Sequence, residues 1–209
     1  MKNKNSPIFG DDGFRSQFGK GLMSKRNLIF FASSLSNYVY KKKLQKYPII
    51  IARDTRESGI YIETLLTNIF TSSGLNVVLA KVLPTPALSK LIELEKYSCG
   101  VMITASHNPA SDNGIKLFSQ SGYKMPLKEE KIIEEGIRKQ PKLYKKYFPG
   151  KLSIKDDSNF IYHKNLLKNQ NIFKIDYSIA IDCSNGATSH IVNKLFGNNN
   201  NYKIIHNRP

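Results

Sequence analysis

Tyr47-Pro48-Ile49-Ile50-Ile51-Ala52 is a short, continuous apolar run rich in β-branched residues. Such a run predicts a strand buried on both faces, as the strands of parallel sheets are. After Ser58-Gly59, apolar residues recur as pairs every four positions: Tyr61 and Ile62, Leu65 and Leu66, Ile69 and Phe70. That stripe belongs to one helix face, and Gly74 supplies its carboxy-terminal stop. A second strand is predicted over 76–80. Thr85-Pro86 reads as an N-cap and first helical residue, with Leu88, Leu91 and Ile92 continuing that helix.

The pattern repeats outward. Strands are predicted over 99–104 and 114–118, and a charged helix over 128–139 with Ile132, Ile133 and Ile137 inward. Another helix is predicted ahead of them over 27–44. Strands alternating with helices over short connections indicate an α/β domain: a mixed, mostly parallel sheet with helices on both faces. Residues 139–155 carry Pro141, Pro149, Gly150 and several lysines with little periodicity, so a domain boundary is placed there, giving units 1–150 and 151–209. In the second unit, a helix (156–167), a strand (177–182), a helix (190–196) and a strand (202–205) begin an α/β domain that is expected to be incomplete. The four-Asn run 198–201 reads as a loop.

Composition narrows the function classes. Forty per cent of the 209 residues are hydrophobic, enough for a packed core. No run approaches the roughly 20 apolar residues of a membrane span, and residues 1–6 lack the apolar core of a secretory signal. The expectation is a cytoplasmic protein with no membrane partner. Two cysteines, Cys99 and Cys183, sit in apolar runs and read as buried free thiols, not a disulfide framework. The net charge of +16 could favour nucleic acid or an anionic substrate. The lysines are scattered and no nucleic-acid-binding motif occurs, so no nucleic-acid partner is expected.

The chemistry concentrates in Gly100-Val-Met-Ile-Thr-Ala-Ser-His-Asn-Pro109 and Ser111-Asp-Asn-Gly-Ile-Lys-Leu-Phe118. A strand delivers Ser106 to a polar turn at its carboxy end, where α/β sheets bind ligands. Lys116, near the start of the returning strand, can reach the same place. His107 is not an obvious base for Ser106, since neighbours on an extended chain point to opposite faces. On these grounds alone, a plain polar loop with a Ser-initiated turn remains an alternative.

Thr104-Ala-Ser-His-Asn-Pro109 with Asp112-Asn-Gly-Ile-Lys116 resembles the active-serine loop of the α-D-phosphohexomutases. Phe9-Gly-Asp-Asp-Gly-Phe-Arg15 is similar to that family's F-G-T-D-G-I-R signature. Ala52-Arg-Asp-Thr-Arg56 followed by Ser58-Gly59 is similar to its G-R-D-T-R-x-S-G turn, and Pro84-Thr-Pro86 to its P-T-P. Asp182-Cys-Ser-Asn-Gly-Ala-Thr188 is similar to its D-C-A-N-G-A-T. The five segments occur in the family's order. Asn113-Gly-Ile-Lys-Leu-Phe118 and Gly122-Tyr-Lys-Met-Pro126 most resemble the bacterial phosphoglucosamine mutase branch.

The resemblance implies that Ser106 is held as a phosphoserine and exchanges its phosphoryl group with a hexosamine phosphate. Glucosamine 6-phosphate and 1-phosphate would interconvert through a bisphosphorylated sugar, feeding UDP-N-acetylglucosamine and cell-wall synthesis. It further implies Lys116, among cationic neighbours, as general acid/base. Arg15 is expected to hold phosphate through bidentate contacts, and His107 and Asn108 to shape the loop and bind sugar or phosphate. Arg53 and Arg56 are candidates for substrate or phosphate binding, or for ion pairing with Asp54 or Glu57 in a structural turn. Mg2+ is implied as the cofactor, with Ser106 as one ligand through its phosphate. No D-x-D metal loop occurs here, and Asp11-Asp12 and Asp156-Asp157 have the wrong spacing. The remaining ligands are expected beyond the end of the chain, which alone is expected to be inactive. Asp11 stands where the family has Thr, and Ser16 where it has Gly, in a loop expected near the phosphoserine. The alternatives are a phosphomannomutase or phosphoglucomutase of the same family, or a non-catalytic binding module.

Overall fold

The computed structural model describes residues 7–142, 146, 148–168, 177–197 and 200–209. The polar amino-terminal segment and part of the asparagine run lie outside the described residues. In chain order the elements are β1 (Phe14–Gln17), α1 (Lys25–Lys41), β2 (Ile49–Arg53), α2 (Ser58–Ser72), β3 (Val77–Val82), α3 (Thr85–Leu94), β4 (Cys99–Ile103) and β5 (Asp112–Phe118). They continue with α4 (Leu127–Arg138), β6 (Leu152–Ile154), α5 (Ser158–Lys168), β7 (Ile179–Asp182), α6 (Ser189–Phe196) and β8 (Tyr202–Ile205).

Six strands form one sheet in the order β1-β5-β4-β2-β3-β6. β2 runs parallel to β3 and β4, and β3 parallel to β6, while β5 is antiparallel to β4 and β1. The sheet is thus mixed and mostly parallel. The run around Ile49 serves both faces, because successive side chains alternate. Ile49 and Ile51 enter one core with Phe31, Leu35, Leu66, Phe70 and Ile133 from α1, α2 and α4. Ile50 and Ala52 enter the other with Leu88, Leu91 and Ile92 from α3, against which Ile161 and Tyr162 of α5 pack.

Several boundaries differ from expectation for local reasons. α1 begins at Lys25, because the Ser24 side chain accepts a 3.4 Å hydrogen bond from the Asn27 amide and caps the helix. Pro84, not Thr85, occupies the N-cap of α3, without a side-chain cap bond. β1 and β6 were not anticipated; four and three residues carry too little periodicity to announce a strand. β6 pairs with β3, so the first sheet runs on to Ile154, past the division expected after residue 150. β7 and β8 make a separate parallel pair joined through α6.

Among the described residues no helix is long and apolar enough to cross a membrane. Cys99 and Cys183 are free and buried. Burial pushes the Cys99 thiol up to about 12, so it stays protonated and inert.

Glu130, in the first turn of α4, is only 2% exposed. Neither of its carboxylate oxygens has a hydrogen-bond partner, although the Lys124 ammonium lies 3.7 Å away as a long ion pair. Burial raises its pKa above 4.5, with Glu134 adding to the shift and Lys124 opposing it. The folded state therefore binds this proton more tightly than the unfolded chain does. Its stabilising effect is complete below the unfolded value and is lost as pH rises through the folded one. Glu130→Gln is expected to remove that loss. In urea titrations at about pH 4 and about pH 7, the variant should gain on the parent protein at the higher pH. An equal midpoint difference at both would show that Glu130 does not titrate this way.

Candidate active site

The parallel strands β2, β3 and β4 end on the same side, and their following loops meet there. Ser106 follows β4 by three residues and is exposed. Its backbone φ is +55°, a left-handed conformation that costs a non-glycine residue about 1 kcal/mol or more. A short chain of hydrogen bonds anchors it. The Ser106 amide donates to Thr104 Oγ1 at 3.0 Å, and that hydroxyl donates to Asp54 Oδ2 at 2.7 Å.

Lys116 reaches the site through the β4–β5 hairpin, where it pairs with Met102. The antiparallel β1–β5 register sets Arg15 opposite Gly114. Asp12 then joins the two cations: its Oδ2 lies 3.0 Å from Arg15 Nη2 and 3.6 Å from Lys116 Nζ. Lys116 was expected among cationic neighbours, but a carboxylate stands against it. Asn108 sits between Arg15 and Asp112, accepting from Arg15 Nη1 at 3.5 Å and donating to Asp112 Oδ2 at 2.9 Å.

The two remaining arginines are held within the scaffold. Arg53 Nε pairs with Glu63 at 3.4 Å, and its Nη1 donates to the Asp54 carbonyl. Arg56 Nε donates to Asp54 Oδ2 at 3.1 Å. Its Nη1 donates to the carbonyls of Pro109 (2.6 Å) and Asp112 (3.0 Å), and its Nη2 to those of Ser106 (3.0 Å) and Asn108 (2.8 Å). In this structure Arg56 directs Nε, Nη1 and Nη2 to protein acceptors, and Arg53 directs Nε and Nη1 to Glu63 and the Asp54 carbonyl. For Arg56 the structural turn with Asp54 is what forms; Arg53 chooses Glu63 rather than Asp54 or Glu57 for its ion pair.

A cleft of about 770 Å³ opens beside the loop; Arg56, Ser106, Asn108, Ser184, Asn185 and Thr188 are among the residues that line it. Ser184 and Asn185 both have positive φ, in the turn that joins β7 to α6. His107 is exposed and is not among the residues lining this cleft. Neither departure from the resembled pattern, Asp11 or Ser16, is among the residues lining this cleft. Asp11 lines a separate groove with Phe9, Leu127 and Glu130, and Ser16 Oγ donates to the Lys20 carbonyl and accepts from the Met23 amide.

Among the described residues no group of three or more His, Cys, Asp or Glu side chains is arranged to hold a metal ion. By themselves these residues offer Mg2+ one candidate position, Ser106, and do not make a metal site. Asp12 and Thr104 were missed as organisers of the site, and Asp54 was expected only as an ion-pair partner of the arginines; the Asp12-to-Arg15 spacing is the signal that could have found Asp12.

Residues 6–143 match the family model of phosphoglucomutase/phosphomannomutase, alpha/beta/alpha domain I. The phosphoglucosamine mutase of Zymomonas mobilis is 38% identical over 185 residues, 88% of this chain and 41% of that protein. That of Carboxydothermus hydrogenoformans is 36% identical over 200 residues, 90% of this chain and 43% of that protein. The chain thus spans about two fifths of the length of these curated relatives. In fold it matches a phosphomannomutase candidate from Thermus thermophilus, with TM-score 0.80 at 23% identity, covering 98% of this chain and 47% of that one. It also matches a phosphoglucomutase/phosphomannomutase family protein from Burkholderia thailandensis, with TM-score 0.75 at 17% identity, covering 97% and 44%. With residues 6–143, about two thirds of its length, matched by the family model, this chain belongs to the phosphoglucomutase/phosphomannomutase family.

Proposed function

We propose that Ser106 is the phosphoryl carrier of a mutase that interconverts glucosamine 6-phosphate and glucosamine 1-phosphate in the cytoplasm. One observation carries the reading. Ser106 is exposed on a strained turn beside a cleft, and Asp12 draws Arg15 and Lys116 together on the neighbouring strands. The names of the relatives support the choice of sugar.

In the proposed step a sugar hydroxyl oxygen bonds to phosphorus as the Ser106 Oγ–P bond breaks. The hydroxyl proton leaves the sugar and a proton returns to Ser106 Oγ. We assign that exchange to Lys116 Nζ, so charge and protons balance. The bisphosphorylated sugar turns over and returns its other phosphoryl group by the reverse route. Arg15 steadies the anionic oxygens. Mg2+, when bound through the Ser106 phosphate, would neutralise phosphoryl charge, with its other ligands supplied from outside these residues.

Phosphopeptide mapping of protein from cells expressing an active form tests the assignment. Phosphate on Ser106 is expected; modification only at other residues would refute it. Lys116→Ala in that active form is expected to lower kcat by about 10²- to 10⁴-fold, the usual worth of a general acid/base. A loss under about tenfold would remove Lys116 from that role. Competition among glucosamine, mannose and glucose phosphates reads out the sugar.

A further inference from the structure

We propose that Arg56 is the positioning residue that holds Ser106 in its reactive conformation, and that it does not bind substrate. The catalytic part of this inference rests on Ser106 being the phosphoryl carrier; the structural part does not. A guanidinium has five N–H donors. Here each has an acceptor: one goes to Asp54 Oδ2 and four to carbonyls of the loop and the start of β5. None remains for a sugar phosphate.

The acceptors are arranged as a clamp. The carbonyls of Ser106 and Asn108 share Nη2, and those of Pro109 and Asp112 share Nη1. The loop is therefore gripped at the residue that carries the chemistry and again where it rejoins the sheet. Asp54 closes the assembly from below. Its Oδ1 accepts from the Arg56 amide, and its Oδ2 takes both Arg56 Nε and the Thr104 hydroxyl that supports the Ser106 amide. A left-handed serine persists only where its surroundings over-determine it, and this network does so from both sides of the turn.

The clamp also has an electrostatic sense. All peptides here are trans, so drawing the Ser106 and Pro109 carbonyls onto Arg56 turns the His107 and Ala110 N–H groups away from it. The guanidinium gathers the negative ends of the loop dipoles, which favours an anion on the loop's other face. Lysine cannot substitute, since one ammonium has three donors and no planar fork.

Two measurements test the proposal. In 15N–1H spectra of the 209-residue chain, the Arg56 Nε–H should exchange much more slowly than that of the exposed Arg208. In Arg56→Lys, the amides of residues 106–108 and 110–112 should shift while those of Phe70 and Leu88 in the two cores stay in place. In a form that turns over sugar phosphate, Arg56→Lys should lower kcat by about 10²-fold, the cost of a misplacement near 1 Å, with KM within about threefold. A rapidly exchanging Arg56 in the parent protein would overturn the clamp, and needs no variant to fold. A raised KM with kcat unchanged would overturn positioning in favour of substrate binding. If the loop amides shift but no active form carries phosphate on Ser106, the clamp stands and the carrier assignment falls. If the amides stay in place while Ser106 is phosphorylated, the carrier stands and the clamp falls.

Discussion

Ser106→Ala, in a form of the protein that turns over sugar phosphate, is expected to lower kcat by about four orders of magnitude or more. The proposed reaction passes every phosphoryl group through Ser106 Oγ; of the other hydroxyls nearby, Thr104 donates to Asp54 and Ser111 is not among the residues lining the cleft. His107 is exposed but does not line the cleft, and Asn108 is occupied with Arg15 and Asp112. Folding should be nearly indifferent to the change. The Ser106 side chain is exposed, and its contacts with Thr104 and Arg56 are made by backbone atoms that alanine keeps. The unfolding free energies of Ser106→Ala and the parent protein should differ by less than about 1 kcal/mol. Ser106→Gly, freed of the cost of a side chain at positive φ, should be at least as stable as the alanine variant. Retention of more than about a tenth of kcat in Ser106→Ala would move the carrier elsewhere.

The largest effect on stability is expected at Gly13. Its φ is +85°, and a Cβ there would stand 2.0 Å from the Ile115 carbonyl oxygen and 3.1 Å from Lys116 Cα. The obstacle is backbone of β5, which cannot swing aside as a side chain end can. Gly13→Ala must therefore push β1 from β5, and the neighbours of Gly13 are Asp12 and Phe14. Phe14 is buried edge-on between Phe9 and Phe31, with ring centroids 5.3 and 5.5 Å away. Asp12 carries the contacts to Arg15 and Lys116. The expected cost is about 3 kcal/mol, from strain at positive φ plus displaced packing. Gly19→Ala is the control: φ is +81°, but nothing lies within 4 Å of its Cβ, so only the conformational part, about 1 kcal/mol, should appear. Urea titration of both variants separates the two contributions. Equal losses would show that the approach to Ile115 carries no cost.

The central layer was legible because its signals are local. The Ile49 run is apolar without interruption, as a strand covered on both faces must be, and the pairs from Tyr61 to Phe70 mark one helix stripe. β1 and β6 were not legible. Phe14–Gln17 becomes a strand only because β5 offers it a ladder, and Leu152–Ile154 because β3 has a free edge. In the site, Ser106 and Lys116 were visible through a resemblance, and a hairpin register then places them. Arg56 stood between two readings, since a sequence names the donors of a guanidinium but not its acceptors. The acceptors here are carbonyls, which every residue possesses. The contact between Asp12 and Lys116 was hidden for a related reason: the two are remote in the chain and meet only through the β1–β5 pairing.

The β1–β5 pairing also has a consequence for the order of assembly. Ser106 and Lys116 belong to one hairpin, whose strands can meet after a short loop closes. Arg15 and Asn108 are 93 residues apart, so their contact must await a far longer closure, with a larger entropic cost and little local help. A chain still collapsing, or one opened transiently at its amino-terminal edge, can hold Ser106 and Lys116 in one hairpin while lacking Arg15 and Asp12. Hydrogen exchange at β1, an edge strand paired only with β5, is expected to be faster than at the sheet's centre.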